Sequence, residues 1–82
     1  MMMPVIVREG PWRMTVYTDE HGQPHVHALH PDGWAKILLG AQDQVPIPVR
    51  VVGLGDHQVW RAVQVALEHR ESLLHAWRNI HG

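Results

Sequence analysis

The chain has 82 residues, of which 45% are hydrophobic and 18% charged, and its formal net charge is −1 with neutral histidines. This length predicts one domain, residues 1–82, whose small core encloses only about 60–65% of the unfolded surface. The absence of cysteine excludes disulfides, zinc–thiolate sites and thiol nucleophiles, and the near-neutral charge argues against generic binding to duplex DNA.

Eight histidines qualify that balance, because protonating all eight would move the formal charge from −1 to +7. His57, His69, His75 and His81 read as ordinary surface residues. Met1 to Arg8 lacks the hydrophobic region of a signal peptide. No apolar run approaches the roughly 18 residues that a membrane helix needs. The expectation is a cytoplasmic protein with no membrane contact.

The first half reads as strands and the last third as helix. Val5 to Arg8 is a short strand and Glu9-Gly10-Pro11 a turn. From Trp12 to Thr18 the pattern alternates, with Trp12, Met14 and Val16 on one face and Arg13, Thr15 and Tyr17 on the other. His25 to His30 alternates as well, with Val26 and Ala28 opposed to His25 and His27. Pro31-Asp32-Gly33 is a turn in which Gly33 tolerates positive φ, and Trp34 to Leu39 is the next strand.

Register follows from the faces. Pairing His30 with Ala35 sets His27 opposite Leu38, with Lys36 one diagonal step away. A three-residue loop, Glu20-His21-Gly22, with Gly22 left-handed, pairs Tyr17 with His25 and Thr15 with His27. A four-residue loop would mix the faces, so the shorter one is preferred. One face is then a core of Trp12, Met14, Val16, Val26, Ala28, Ile37 and Leu39. The other carries Arg13, Thr15, Tyr17, His25, His27 and Lys36, near Trp34 and Leu38.

Val45 to Val52 reads as an edge strand, because Pro46 and Pro48 lack N–H groups on one side of it. Gly53-Leu54-Gly55 breaks the chain, and Asp56 is the expected N-cap. From His57 to Ile80 the pattern is helical, with Val59, Val63, Ala66, Leu67, Leu73, Leu74, Trp77 and Ile80 in one apolar stripe. Uninterrupted, that helix would run about 36 Å at 1.5 Å per residue, against roughly 20 Å for the strands. It must bend near Glu68 to Glu71 or overhang the sheet. The predicted fold is α+β: an antiparallel sheet of four to five strands (residues 1–52) packed on a long C-terminal helix, straight or bent into two (residues 56–80).

Three motifs resemble the small bacterial proteins of domain of unknown function 4160. They are Glu20-His21-Gly22-Gln23-Pro24-His25-Val26-His27, then Gly33-Trp34-Ala35-Lys36, then His69-Arg70-Glu71-Ser72-Leu73-Leu74-His75-Ala76-Trp77. Gln23 and Trp34 depart from the usual pattern. The resemblance implies one component of a two-gene, toxin–antitoxin-like module, with a small partner protein from a neighbouring gene. It implies no reaction.

Three chemistries suit these residues. Metal-free RNA cleavage needs an acid, a base and a cation. His25 and His27 supply the first two, Lys36 and Arg13 stabilise charge, and Tyr17 or Trp34 stacks a base. That reading makes His25, His27, Lys36 and Tyr17 catalytic and requires no cofactor. A second reading places a divalent metal such as zinc on His25 and His27, completed by His21 or by Asp19 or Glu20. A third is a non-catalytic interaction module, in which Trp60, Leu67, Leu74 and Trp77 expose apolar surface to a partner or to a second copy through the C-terminal helix. The bland alternatives are a solvated sheet face, hydrogen-bonded structural histidines and tryptophans that close the domain's own core.

Overall fold

The computed structural model describes residues 5–17, 22–40 and 43–81. Five strands are followed by two helices: β1 (Val5–Glu9), β2 (Trp12–Thr15), β3 (His25–His30), β4 (Gly33–Leu38), β5 (Ile47–Val52), α1 (Asp56–Glu68) and α2 (Arg70–His81). The strands form one antiparallel sheet in chain order, β1-β2-β3-β4-β5. The predicted α+β architecture is the one observed. No helix among the described residues is long and apolar enough to cross a membrane.

The predicted core face is buried throughout. Met14, Val16, Val26, Ala28, Ile37 and Leu39 are fully buried, and Trp12 nearly so. Ala62, Val63, Val65 and Ala66 of α1 and Leu73 and Trp77 of α2 complete this cluster. Each large side chain so enclosed contributes about 1.5–3 kcal/mol. The helix stripe holds except at Leu67, which is 45% exposed. Its position on α1 turns it away from the sheet.

Two hairpins test the register. Thr15 lies opposite His27, as the three-residue loop requires, and Gly22 has a φ of 99°. Glu20 and His21 of that loop lie outside the described residues. The β3–β4 hairpin corrects the expectation. His30 pairs with Gly33, so His27 faces Lys36, not Leu38. The loop is only Pro31-Asp32, and the Asp32 N–H donates to His30 Nδ1 at 3.0 Å. The slip is an even number of residues, so the faces are preserved.

Gly33 is required for a reason the turn did not suggest. Its φ is not positive. Instead a Cβ there would collide with the Val52 carbonyl oxygen. The end of β5 therefore lies directly against the β3–β4 turn.

β5 is an edge strand, as its prolines predict, though it begins at Ile47 rather than Val45. Val49 is an extra residue between the pairs Lys36–Arg50 and Ile37–Pro48. A bulge beside a proline is where a ladder tolerates a missing donor.

The long helix is broken. α1 ends at Glu68, His69 leaves helical geometry at φ −110° and ψ 19°, and α2 begins at Arg70. The N-cap is Gly55, not Asp56, which is the first helical residue. The Gly55 N–H donates to Gln58 Oε1 at 2.8 Å, and Gln58 Nε2 donates to Asp32 Oδ2 at 2.8 Å. One glutamine thus holds the start of α1 and ties it to the β3–β4 turn. α1 packs on β4 and β5, and α2 packs on β1 and α1.

Candidate functional site

The register builds a row across the sheet. Thr15, His27, Lys36 and Arg50 are successive cross-strand neighbours on β2, β3, β4 and β5. Facing partners share a face, so this row lies opposite the core. Three of its four members carry or can carry positive charge. Trp34 stands two residues from Lys36 on the same face, and the Arg50 guanidinium lies 5.7 Å from its ring centroid, within cation–π range. The sequence alone does not single out Arg50. Its place in the row depends on the β4–β5 register, which the bulge at Val49 conceals.

His25 and His27 occupy the predicted strand and face, but they are buried, at 2% and 6% exposure. Thr15 beside them is fully buried. That corrects the picture of an open second face. The cover comes from rings. Tyr17 and His27 have centroids 4.1 Å apart, His27 and His25 5.7 Å, and His25 and Trp77 4.8 Å. Trp77 in turn stacks on His81 at 3.8 Å, and Trp34 flanks His27 at 5.7 Å. These separations are those of packed aromatic pairs.

His25 has a defined tautomer. Its Nδ1 lies 2.8 Å from the Gln23 carbonyl oxygen. A carbonyl only accepts, so Nδ1 carries the proton. In the neutral ring Nε2 then holds the lone pair, and it is buried. His27 Nδ1 is buried as well. Of the sequence-predicted residues, Tyr17 and Lys36 are half-buried and border this cluster. His21, the predicted third metal ligand, and Asp19 and Glu20 lie outside the described residues.

A different donor set is preformed at the helix break. Glu9, Glu68 and His69 each bring one ligand-type atom within 4.8 Å of the others. Glu9 is also the centre of an ion pair. Its Oε1 meets His69 Nε2 at 3.0 Å, and its Oε2 meets Arg61 at 3.1 Å. Those contacts fasten β1 to α1 and to the break between the helices.

A third feature is apolar. Ile47, Val49, Val51 and Val52 of β5 are 41–54% exposed, Val45 just before it 58%, and Trp60 of α1 65%. Between β5 and α1 lies a shallow cleft of about 190 Å³ lined by Val45, Pro46, Pro48, Val59, Trp60 and Val63. Arg50 is the sole charged residue of β5. Trp60 stands at the surface, as expected of an anchor. Exposure of the β5 side chains is not expected from sequence, because an apolar strand normally signals burial.

No curated protein and no solved structure matches the chain. Residues 12–78 match the model of a family described as a domain of unknown function. The match runs from Trp12 at the start of β2 to Arg78 in α2 and takes in the histidine pair, β5 and the helix break; the chain belongs to the DUF4160 family.

Proposed function

We propose that this chain is a protein-interaction module, one component of a two-gene, toxin–antitoxin-like pair, that holds its partner on the surface formed by β5 and α1. The observation that carries the reading is the apolar edge itself. Val45 and Val51, 58% and 41% exposed, lie on the α1 side beside Trp60, 65% exposed, and apolar surface of this kind marks an interaction site. Ile47 and Val52, opposite Leu38 and Trp34, carry the apolar edge round to the other face. Trp60 is the natural anchor. Pro46 and Pro48 deprive the edge of donors, which disfavours a continuous added strand. The partner that fits is a small protein presenting the apolar side of a helix to the β5–α1 cleft.

In this reading His25 and His27 serve packing and tautomer-specific hydrogen bonding. In this reading they have no acid or base role.

The test is coexpression with the product of the adjacent gene. A tight complex that forms with the native chain and is lost with Trp60→Ala or Val49→Asp supports the proposal. A chain that stays separate from its neighbour, or that forms a homodimer dispersed by the same changes, sinks it.

One observation favours a second reading, in which the opposite face touches RNA. Lys36 and Arg50 are directly opposed across β4 and β5. Two cations side by side on one sheet face suit a phosphate backbone. Trp34 beside them offers a stacking surface. Filter binding of single-stranded RNA that is unchanged by Lys36→Ala and Arg50→Ala would dismiss this reading.

A further inference from the structure

The apolar stripe on α1 runs beyond the β5–α1 cleft. Trp60 and Leu67 are 65% and 45% exposed. They stand two helical turns apart on one side of α1, separated by about 10 Å along its axis. Val63 lies between them, nearly buried, and joins that line to the wall of the cleft. The surface is therefore extended along α1, and the shape that matches it is a helix laid beside α1 for about three turns.

Charge brackets this stripe. Asp56 opens α1, one turn before Trp60. Asp43 stands just ahead of Val45, which begins the β5 side of the cleft. A short connection takes the chain from Val52 to Asp56, so Asp56 marks the end of the cleft where β5 finishes and Asp43 the end where it starts. Both aspartates are exposed, and neither carboxylate has an ion pair among the described residues. The cations of the same two elements are turned elsewhere. Arg61 is held by Glu9 at 3.1 Å, and Arg50 faces Lys36 on the other side of the sheet. Arg70 donates to the Gln44 carbonyl next to Asp43 and is nearly buried, which leaves it out of reach of a docked chain. A second copy does not suit this surface. Glu68 ends α1, so two α1 helices side by side, parallel or antiparallel, set acid against acid at both ends.

We propose that the segment held on the β5–α1 surface is a basic amphipathic helix. Two large apolar residues, spaced like Trp60 and Leu67, pack on those side chains, and a lysine or arginine at either end meets Asp56 and Asp43. This rests on the interaction-module reading and adds the sign and spacing of the partner. The apolar anchors hold the complex, while the rim charges speed association and select the partner.

Isothermal titration of the full chain with two synthetic helical peptides of about 15 residues tests this. The peptides share one leucine stripe at the stated spacing and differ only in lysine or glutamate at its two ends. The lysine peptide should bind about fivefold tighter or more at low salt, as rim ion pairs allow, and its advantage should shrink at about 0.5 M salt. Asp43→Lys combined with Asp56→Lys should reverse the preference. Both positions are exposed, circular dichroism checks the fold, and Asp43→Lys alone is the milder variant, which should narrow the preference. Trp60→Ala and Leu67→Gln should each weaken the lysine peptide about tenfold. Equal binding of the two peptides, a preference that the double variant does not reverse, indifference to Leu67→Gln, or no binding of either at millimolar peptide overturns the proposal. The adjacent gene's product separates the two readings. A complex that is lost with Trp60→Ala yet ignores salt and both aspartates keeps the module and overturns its basic helix. No complex, with the lysine peptide bound as expected, overturns the gene pairing and supports the chemistry of the surface.

Discussion

The imidazole of His25 and the indole of Trp77 lie 4.8 Å apart, tilted by 55°, and this contact joins the histidine motif on β3 to the last motif residue on α2. It gives the two motifs a shared structural purpose. The expected order of destabilisation is Trp77→Ala, then His25→Ala, then His25→Phe. Removing the nearly buried indole should cost about 3–5 kcal/mol, a large part of the roughly 5–15 kcal/mol that holds a domain together. His25→Ala should cost about 2–3 kcal/mol in lost packing. His25→Phe keeps a ring but strands the Gln23 carbonyl, at about 1 kcal/mol. Urea denaturation checks the series. His25→Ala within about 0.5 kcal/mol of the native chain would remove the ring from any role in stability.

That contact also marks the point beyond which the sequence is not legible. Alternation places Thr15 opposite His27 and sorts the core face correctly, because strand parity survives a register slip of two. The same parity hides the slip itself: Pro31-Asp32-Gly33 is compatible with loops of two or four residues, and both leave Ala28 and Ile37 inside. Coverage of the second face cannot be read. A helical stripe says that Trp77 is buried but not against what, and its approach to His25 depends on the break at His69. Exposure of β5 is illegible for a related reason. Val49, Val51 and Val52 are apolar, and only the absence of a sixth strand or a third helix beyond them leaves them uncovered among the described residues.

The Glu9 ion pairs should prove weaker than their geometry suggests. Glu9 meets both Arg61 and His69, yet the three side chains are 31–49% exposed. At that exposure each pair contributes about 0–1 kcal/mol. Glu9→Gln should therefore lower stability by no more than about 1 kcal/mol, and less at 1 M salt, where screening is nearly complete. A double-mutant cycle with Arg61→Ala measures the coupling. A coupling energy well above 1 kcal/mol that persists at high salt would show that the helix break depends on this network.

The apolar edge should tolerate polar substitution in isolation. Trp60→Ala, Val49→Asp and Val51→Lys remove side chains that are 41–65% exposed, and such changes usually move stability by less than about 0.5 kcal/mol. Solubility should rise, since exposed apolar surface is a liability for non-specific aggregation. Thermal denaturation and light scattering of the purified variants check both points. If these variants unfolded at markedly lower temperature, the edge would be a structural element of this chain rather than a surface kept for another.

Gly33 and Gly10 offer the sharpest contrast between two glycines. Gly10 needs its backbone: φ is 56°, and an added Cβ would meet nothing within 4 Å. Gly10→Ala should cost about 1–2 kcal/mol, the left-handed penalty for an L-residue. Gly33 needs its missing side chain. An alanine Cβ would overlap the Val52 carbonyl oxygen and lie 3.0 Å from the Gly53 backbone, and neither can swing aside as a side chain does. Gly53 is itself pinned, with φ at 78° and its own Cβ position 2.5 Å from the Asp32 carbonyl. Gly33→Ala must then push the end of β5 off the β3–β4 turn, at about 3 kcal/mol or more, the upper end of overpacking costs. The displacement should reach Gln58 and its bond to Asp32, so amide hydrogen exchange should accelerate at the start of α1 as well as in β5. Gly33→Ala no more damaging than Gly10→Ala would mean that β5 sits further from the turn than the structure has it.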